Sequence, residues 1–173
     1  GNITTQDEVL RREIRQMEGG WYSSGAISLS KKRLKRLAYV ENVIFEEVRV
    51  PGSANKVDLN VRVKEKLSGN FNIGAGLGGS GTGLSLSAGI EQDNFLGFGS
   101  KVAINVDTGK TSRNYAFSFF NPYHNLDSVS RSFGFNIQTT KTDNTDTVSD
   151  YEADRIGLNY SYGLPMTENN RFF

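Results

Sequence analysis

Hydrophobic residues recur along the chain with two different periods, and the change between them divides it into two parts. In the first run the apolar residues stand at helical spacing: Val9, Leu10, Ile14 and Met17. A capping box at Thr5-Gln6-Asp7-Glu8 precedes this run, and Gly19-Gly20 follows it. The pattern therefore predicts a first helix that starts after Thr5 and ends at Gly19.

A second helix and two strands complete the first part. The helix is predicted from about Ser24 to Ala38, with its basic residues on the outer face. Strand patterns follow at Val43 to Val50 and, with cleaner alternation, at Val57 to Val63. Pro51 to Asn55 supplies the turn between them. The order is ααββ, one strand short of a compact βααββ α+β unit, and we expect the missing first strand upstream of Gly1.

From Asn70 onward the period changes to two, as in β-strands. Six segments alternate apolar with polar residues, and their apolar members are Phe71, Ile73, Ala75 and Leu77; Leu84, Leu86, Ala88 and Ile90; Val102, Ile104 and Val106; Tyr115, Phe117 and Phe119; Phe133, Phe135 and Ile137; and Ile156, Leu158, Tyr160, Tyr162 and Leu164. The second part is therefore predicted to be all-β.

The residues between these apolar positions favour a transmembrane barrel over a soluble sandwich. The polar members are mostly Ser, Asn and Gly, which suit a watery lumen, and aromatic residues gather near the predicted strand ends. Connections expected outside the cell, at Asp107 to Asn114 and Lys141 to Asp154, are polar and charged. Those expected on the periplasmic side, such as Asp93 to Gly99, are mostly compact. This asymmetry is typical of outer-membrane barrels.

Composition supports the same division. Residues 1–68 carry 13 Lys and Arg against 9 Asp and Glu, whereas the remainder carries 7 against 10, and 14 of the 19 glycines follow residue 68. We therefore place a domain boundary near Ser68. The chain has no cysteine and no apolar run of about 18 residues, which excludes a transmembrane helix but not strands, since these cross with about 9–11 residues.

Several apparent motifs of enzymes and binding sites fail on inspection. Gly76-x-Gly78-x-x-Gly81 leads into a strand, so no helix N-terminus follows to bind a pyrophosphate. His124 stands alone, and the acids at Asp150, Glu152 and Asp154 are assigned to a solvated external loop. The basic run Lys31 to Arg36 is interpreted as a solvated helix face, not a nucleic-acid site. We expect no catalysis, cofactor or metal.

The chain resembles the BamA family of outer-membrane β-barrel assembly proteins over essentially its whole length. The stretches that carry the resemblance are Leu10-Arg11-Arg12-Glu13, Arg15-Gln16-Met17-Glu18-Gly19, Arg49-Val50-Pro51-Gly52-Ser53, Val63-Lys64-Glu65, Gln92-Asp93-Asn94-Phe95-Leu96-Gly97 and Asn121-Pro122-Tyr123. The resemblance implies that residues 1–68 are the last, membrane-proximal POTRA domain, in the periplasm. Residues 69–173 would then be strands one to six of the outer-membrane barrel, with Arg171-Phe172-Phe173 beginning the seventh.

The resemblance also implies a function, the folding and insertion of other barrel proteins through an edge strand and a lateral seam. The residues expected to pair with the client strand are Asn70, Phe71, Asn72, Ile73, Gly74, Ala75, Gly76 and Leu77. Unpaired N–H and C=O groups on an edge strand can bind an incoming strand, and glycines weaken the strand's hold on its neighbour. The alternative is that Gly74 and Gly76 only accommodate curvature.

Partners follow from the same resemblance: accessory lipoproteins of the assembly complex, unfolded outer-membrane clients and outer-membrane lipid, with no nucleic acid. Glu18 matches a position associated with the lipoprotein contact, although the residues alone show only an acid near a predicted helix C-terminus, or a tolerated surface residue. Other functions stay open. A two-partner secretion transporter or passive channel also joins POTRA modules to a barrel, and the POTRA part could act as a peptide-binding scaffold through the edge of its hairpin.

Overall fold

The computed structural model describes residues 2–53, 55–78, 83–125, 128–142, 150–166 and 171–172. They form two compact units: the first consists of residues 1–68 and 93–99, and the second of residues 69–92 and 100–173. The predicted domain limits, 1–68 and 69–173, remain a prediction. The compact first unit differs from the predicted domain in one respect, because it includes the short segment 93–99 from the second half of the chain.

The first unit contains the predicted two helices and two strands. They are α1 (Asp7–Arg11), α2 (Ser24–Lys35), β1 (Val40–Arg49) and β2 (Val57–Glu65). The two strands are antiparallel, with Val43 opposite Val63. The core packs both helices onto this hairpin and consists of Val9, Leu10, Leu34, Tyr39, Val40, Val43 and Val63. The predicted α+β class is confirmed.

The first helix is much shorter than predicted, and its capping box does not form. Helix α1 ends at Arg11, and Gln6 precedes it without a side-chain cap. The Thr5 backbone N–H instead donates to Glu65 Oε1 at 2.9 Å, and the Arg15 backbone N–H donates to Ser30 Oγ at 2.8 Å. Contacts with distant residues therefore replace the local bonds that a longer helix requires.

Helix α2 begins and ends close to its predicted limits. Ser23 caps it by accepting a hydrogen bond from the Ala26 N–H at 3.2 Å. It runs for 12 residues. Within the described part of the chain, no helix is long and apolar enough to cross a membrane.

The second unit is one antiparallel sheet whose strands follow one another in chain order. Its strands are β3 (Gly69–Gly78), β4 (Gly83–Phe95), β5 (Ser100–Gly109), β6 (Ser112–Asn121), β7 (Ser130–Thr142), β8 (Tyr151–Pro165) and β9 (Arg171–Phe172). The six predicted strands are confirmed as β3 to β8. Arg171 and Phe172 pair with Pro165 and Leu164, which begins a seventh strand, while Phe173 lies outside the described residues.

The strand register gathers the apolar side chains of this sheet on one face. Phe71 lies opposite Ile90 between β3 and β4, and Phe117 lies opposite Phe135 between β6 and β7. On the other face Asn72 lies opposite Gly89. Many apolar side chains of the first face are exposed. An apolar face of this extent left open to the surroundings is typical of strands that face lipid.

Candidate functional site

The predicted client-pairing residues all lie on β3, at the end of the sheet. Among the described strands, β3 pairs only with β4, so its other edge carries no strand. Because backbone groups of a strand point alternately to its two sides, about half of its N–H and C=O groups face that edge. The structure thus brings Asn70 to Leu77 together as one continuous edge segment.

The two faces of β3 differ sharply in side chains. On one face Phe71, Ile73 and Leu77 are 80%, 81% and 87% exposed. On the other, Gly74 and Gly76 contribute no side-chain atoms and lie opposite Ser87 and Ser85 of β4. The strand therefore presents a bulky apolar face and a nearly bare polar face.

Serine side chains of β4 occupy the space that the glycines leave. A Cβ atom added at Gly74 would lie 2.6 Å from Ser87 Oγ, and one added at Gly76 would lie 2.9 Å from Ser85 Oγ. The Ser85 hydroxyl also donates to the Gly76 carbonyl oxygen at 3.2 Å. The glycines thus admit close approach of β4, which agrees with a role in curvature as well as with a weak seam. Gly79, Ser80 and Gly81 lie outside the described residues.

Glu18, the expected lipoprotein contact, is an exposed acid with a partner inside the chain. Its Oε1 accepts a hydrogen bond from Arg11 Nη1 at 2.5 Å, and its side chain is 87% exposed. Arg11 also pairs with Asp7. The bond to Asp7, and after it the bond to Glu18, raises the pKa of Arg11. Because α1 ends at Arg11, the predicted position of Glu18 near a helix C-terminus is wrong.

Apolar side chains surround Glu18. Met17 is 76% exposed and Trp21 is 97% exposed. Together with Glu18 they line an open groove of about 1280 Å³ that also runs beside Val57, Leu59 and other β2 residues. An acid beside exposed apolar side chains is the composition of a surface that binds a partner with both basic and apolar groups.

A partly buried polar network in the first unit was missed from the sequence. The Glu65 carboxylate accepts hydrogen bonds from the backbone N–H groups of Ile3, Thr4 and Thr5 at 2.9–3.0 Å. Burial alone raises the pKa of this carboxyl group, but the Thr5 hydroxyl and the three backbone donors outweigh burial and lower the pKa to about 2. Thr5 also contacts Asn94, so the network reaches segment 93–99.

Glu152 and Asp154, which were assigned to a solvated external loop, lie instead on β8 and bond to residues of β7. Asp154 accepts a hydrogen bond from the Thr139 hydroxyl at 2.7 Å, and Glu152 forms an ion pair with Lys141 at 2.9 Å. Both partners stand on β7, so these bonds join β7 to β8. Among the described residues, no three His, Cys, Asp or Glu side chains are grouped to hold a metal ion.

Comparisons with known proteins match both parts of the chain. The POTRA family, described as a surface antigen variable number repeat, matches residues 1–66, and the Omp85 superfamily domain matches residues 94–172. The outer membrane protein assembly factor BamA of Neisseria meningitidis is 36% identical over 99% of this chain and 22% of its own length. BamA of Buchnera aphidicola is 31% identical over 99% of this chain and 27% of its own length.

A solved structure is similar to nearly the whole chain. The crystal structure of BamA from Haemophilus ducreyi lacking POTRA domains 1–3 matches with a TM-score of 0.81 and 38% identity. The match covers 97% of the present chain and 31% of the Haemophilus ducreyi chain. The present chain therefore spans less than a third of the length of each of these relatives.

Fold and comparisons together define a class, that of proteins in which a POTRA domain is followed by strands of an Omp85 barrel. Within this class the resemblance to BamA is confirmed. The chain is similar to BamA from the last POTRA domain through the first strands of the barrel.

Proposed function

We propose that this chain is part of an outer-membrane β-barrel assembly protein that folds and inserts client barrels. In this proposal a strand of the client pairs with β3. The BamA relatives support the general role, since their names describe outer-membrane protein assembly. The observation that carries the finer proposal is the position of β3 at the end of the sheet, with one edge unpaired among the described strands.

The edge of β3 supplies a template that needs no chemical energy. A client strand that pairs with Asn70 to Leu77 forms hydrogen bonds with the free backbone groups of β3 and satisfies its own. Unpaired N–H and C=O groups are costly in the bilayer, which contains no water to bond them. Each added client strand then presents a new edge to the next. Catalysis by side chains has no part in this mechanism.

A weak seam would give the client access to that edge. Gly74 and Gly76 supply no side chains on the polar face of β3, so cross-strand side-chain pairs contribute little to holding a neighbour there. A neighbour paired mainly through its backbone can be exchanged for a client strand, which makes the same backbone bonds.

The surroundings of the two units follow from their surfaces. The exposed apolar face of β3 to β8 fits outer-membrane lipid, and the POTRA match over residues 1–66 supports a periplasmic location for residues 1–68. Glu18, with Met17 and Trp21 beside it, would bind a basic and apolar surface of an accessory lipoprotein. Because Glu18 pairs with Arg11 in this chain, a partner's cation would share or replace that bond.

Disulfide trapping in the full-length protein tests the template. Cysteine at Ala75 on β3 is compared with cysteine at Ala116 on β6, whose two edges are both occupied. The client carries cysteines at successive positions of its last strand and is stalled during insertion. We expect a single preferred client position for Ala75, and a shift of that position by two residues when the cysteine moves to Ile73.

The outcome separates the competing functions. Absence of β3 crosslinks while assembly proceeds normally would sink the template mechanism. A passive channel or two-partner secretion transporter predicts that transport continues when the first and last barrel strands are locked together, because transport then uses the lumen. A peptide-binding POTRA scaffold predicts client crosslinks along the hairpin β1–β2 in place of β3.

A further inference from the structure

Segment 93–99, which comprises the last three residues of β4 and the turn that leads to β5, has an unusual backbone. Asn94 and Leu96 have φ of 58° and 53°, and Gly97 and Gly99 have φ of 81° and 69°. Residues other than glycine adopt positive φ angles at a cost in free energy, so surrounding contacts must hold the backbone in this conformation. The segment belongs to the first compact unit, although the rest of β4 and all of β5 belong to the second.

Asn94 provides the central contact. It is only 7% exposed, and its side chain uses both ends. Nδ2 donates to Thr5 Oγ1 at 2.8 Å, and Oδ1 accepts the Gly99 N–H at 2.8 Å. One amide therefore closes the turn on itself and ties it to the start of the chain.

Backbone contacts repeat this connection. The Gln6 N–H donates to the Gly97 carbonyl oxygen at 3.0 Å. A Cβ atom at Gly97 would lie 2.3 Å from the Thr4 carbonyl oxygen, so only glycine permits this approach. Glu65 fixes the other side of Thr4 and Thr5 through their N–H groups. Three distant parts of the chain thus meet at Thr5.

The rest of the segment packs on the core of the first unit. A Cβ atom at Gly99 would lie 2.9 Å from Val9 Cγ1 and 3.2 Å from the Tyr39 hydroxyl. Val9 is fully buried and Tyr39 is 6% exposed. At its other end the segment is tied to Ser68, whose hydroxyl donates to the Asp93 carbonyl oxygen at 2.7 Å.

We propose that Thr5, Glu65 and Asn94 form a latch that makes segment 93–99 a structural part of the POTRA unit, with Asn94 as the positioning residue. The latch fixes the end of β4 that lies in this segment and the turn that precedes β5. In one respect the inference rests on the proposed function: β4 is the described partner of β3, so opening the latch loosens the strand beside the template.

Hydrogen–deuterium exchange on the full-length protein in lipid nanodiscs tests the latch from both sides. Thr5→Val removes the hydroxyl with little change in volume, and Asn94→Gly removes the amide while tolerating the positive φ. Each variant is expected to speed exchange about tenfold both in residues 3–9 and in residues 93–99, because each opens a shared buried bond. Leu96→Ala, an exposed change within the same segment, is the matched control.

The test depends on whether a substitution in either segment speeds exchange in both segments. Faster exchange confined to the segment that carries the substitution would overturn the latch, as would equal acceleration in β1, which would mean that the whole unit unfolds. Gly97→Ala gives a second test, since its clash with Thr4 should have the same two-sided effect. Client insertion is then measured for the same variants, with slower insertion expected. The exchange result stands even if the β3 crosslinks fail, so the two proposals can fail separately.

Discussion

The Thr5 hydroxyl lies 2.8 Å from the Asn94 side-chain nitrogen, although 89 positions separate the two residues, and both side chains are buried. Within the first compact unit, this bond joins the residues before α1 to segment 93–99. Buried polar groups are costly to leave unpaired, so each residue fixes the other's position.

Substitution of Asn94 should separate the contribution of its hydrogen bonds from that of its backbone shape. Asn94→Gly should lower the free energy of local opening of segment 93–99 by about 1–3 kcal/mol through two lost bonds. Asn94→Ala should cost about 1 kcal/mol more, because alanine disfavours a φ of 58°. Denaturant-dependent hydrogen exchange of the amides in residues 3–9 and 93–99 measures both values. Equal effects of the two variants would show that the backbone angle is not strained.

The Glu65 carboxylate should make the first unit acid-sensitive. Its pKa is lowered from 4.5 to about 2 in the folded state, so its contribution is present above pH 4.5 and is lost as the pH falls toward 2. The loss should be well below the roughly 3 kcal/mol to which the full pKa shift corresponds, because solvent screens this partly exposed carboxylate. Glu65→Gln should be less stable at neutral pH and should lack this dependence. Carbon-13 NMR of the Glu65 carboxyl group gives the pKa directly, and a value near 4.5 would contradict the network.

The sequence predicted the strands of the second unit well because membrane strands separate apolar and polar residues onto opposite faces. For example, Ile104 is apolar and its neighbour Asn105 is polar, as the alternation requires. The first helix was mispredicted because Ser30 and Glu65 take backbone bonds that a local pattern assigns to the helix. The Asn94 contact could not be predicted at all, since nothing in the turn motif indicates a partner 89 residues away.

Lysine substitutions on adjacent residues of β5 should distinguish a lipid face from a lumen face. Ile104 is on the exposed apolar face, and Asn105 is on the opposite face. Ile104→Lys should cost about 2–4 kcal/mol if it lies near the middle of the bilayer, whereas Asn105→Lys should cost much less. Unfolding of the full-length protein from lipid vesicles measures both. Similar costs for the pair would argue against the assignment of the faces.

A double-mutant cycle should reveal how closely β4 approaches β3. Gly74→Ala should destabilise the strand pair by about 0.5–1 kcal/mol, because the new methyl group meets Ser87 Oγ and the hydroxyl must rotate away. Ser87→Gly should remove most of that penalty in the double variant, and thermal unfolding in detergent gives the coupling energy. Additive effects would mean that the two positions are independent and that the glycine serves only the backbone.

Glu18 and Arg11 permit a test of the partner site that does not depend on fold stability. Their ion pair is exposed, and exposed pairs contribute about 0–1 kcal/mol, so substitution of either residue should leave the first unit folded. If Glu18 binds a basic surface of an accessory lipoprotein, as proposed, Glu18→Lys should reduce that binding at least tenfold, because it places a cation against that surface. Arg11→Ala should preserve or strengthen binding, since it frees Glu18 from its internal partner. Co-purification and titration of the lipoproteins with each variant measure this difference. If both substitutions weaken binding equally, the partner binds the ion pair as a whole, and Glu18 is not the separate contact that the resemblance implies.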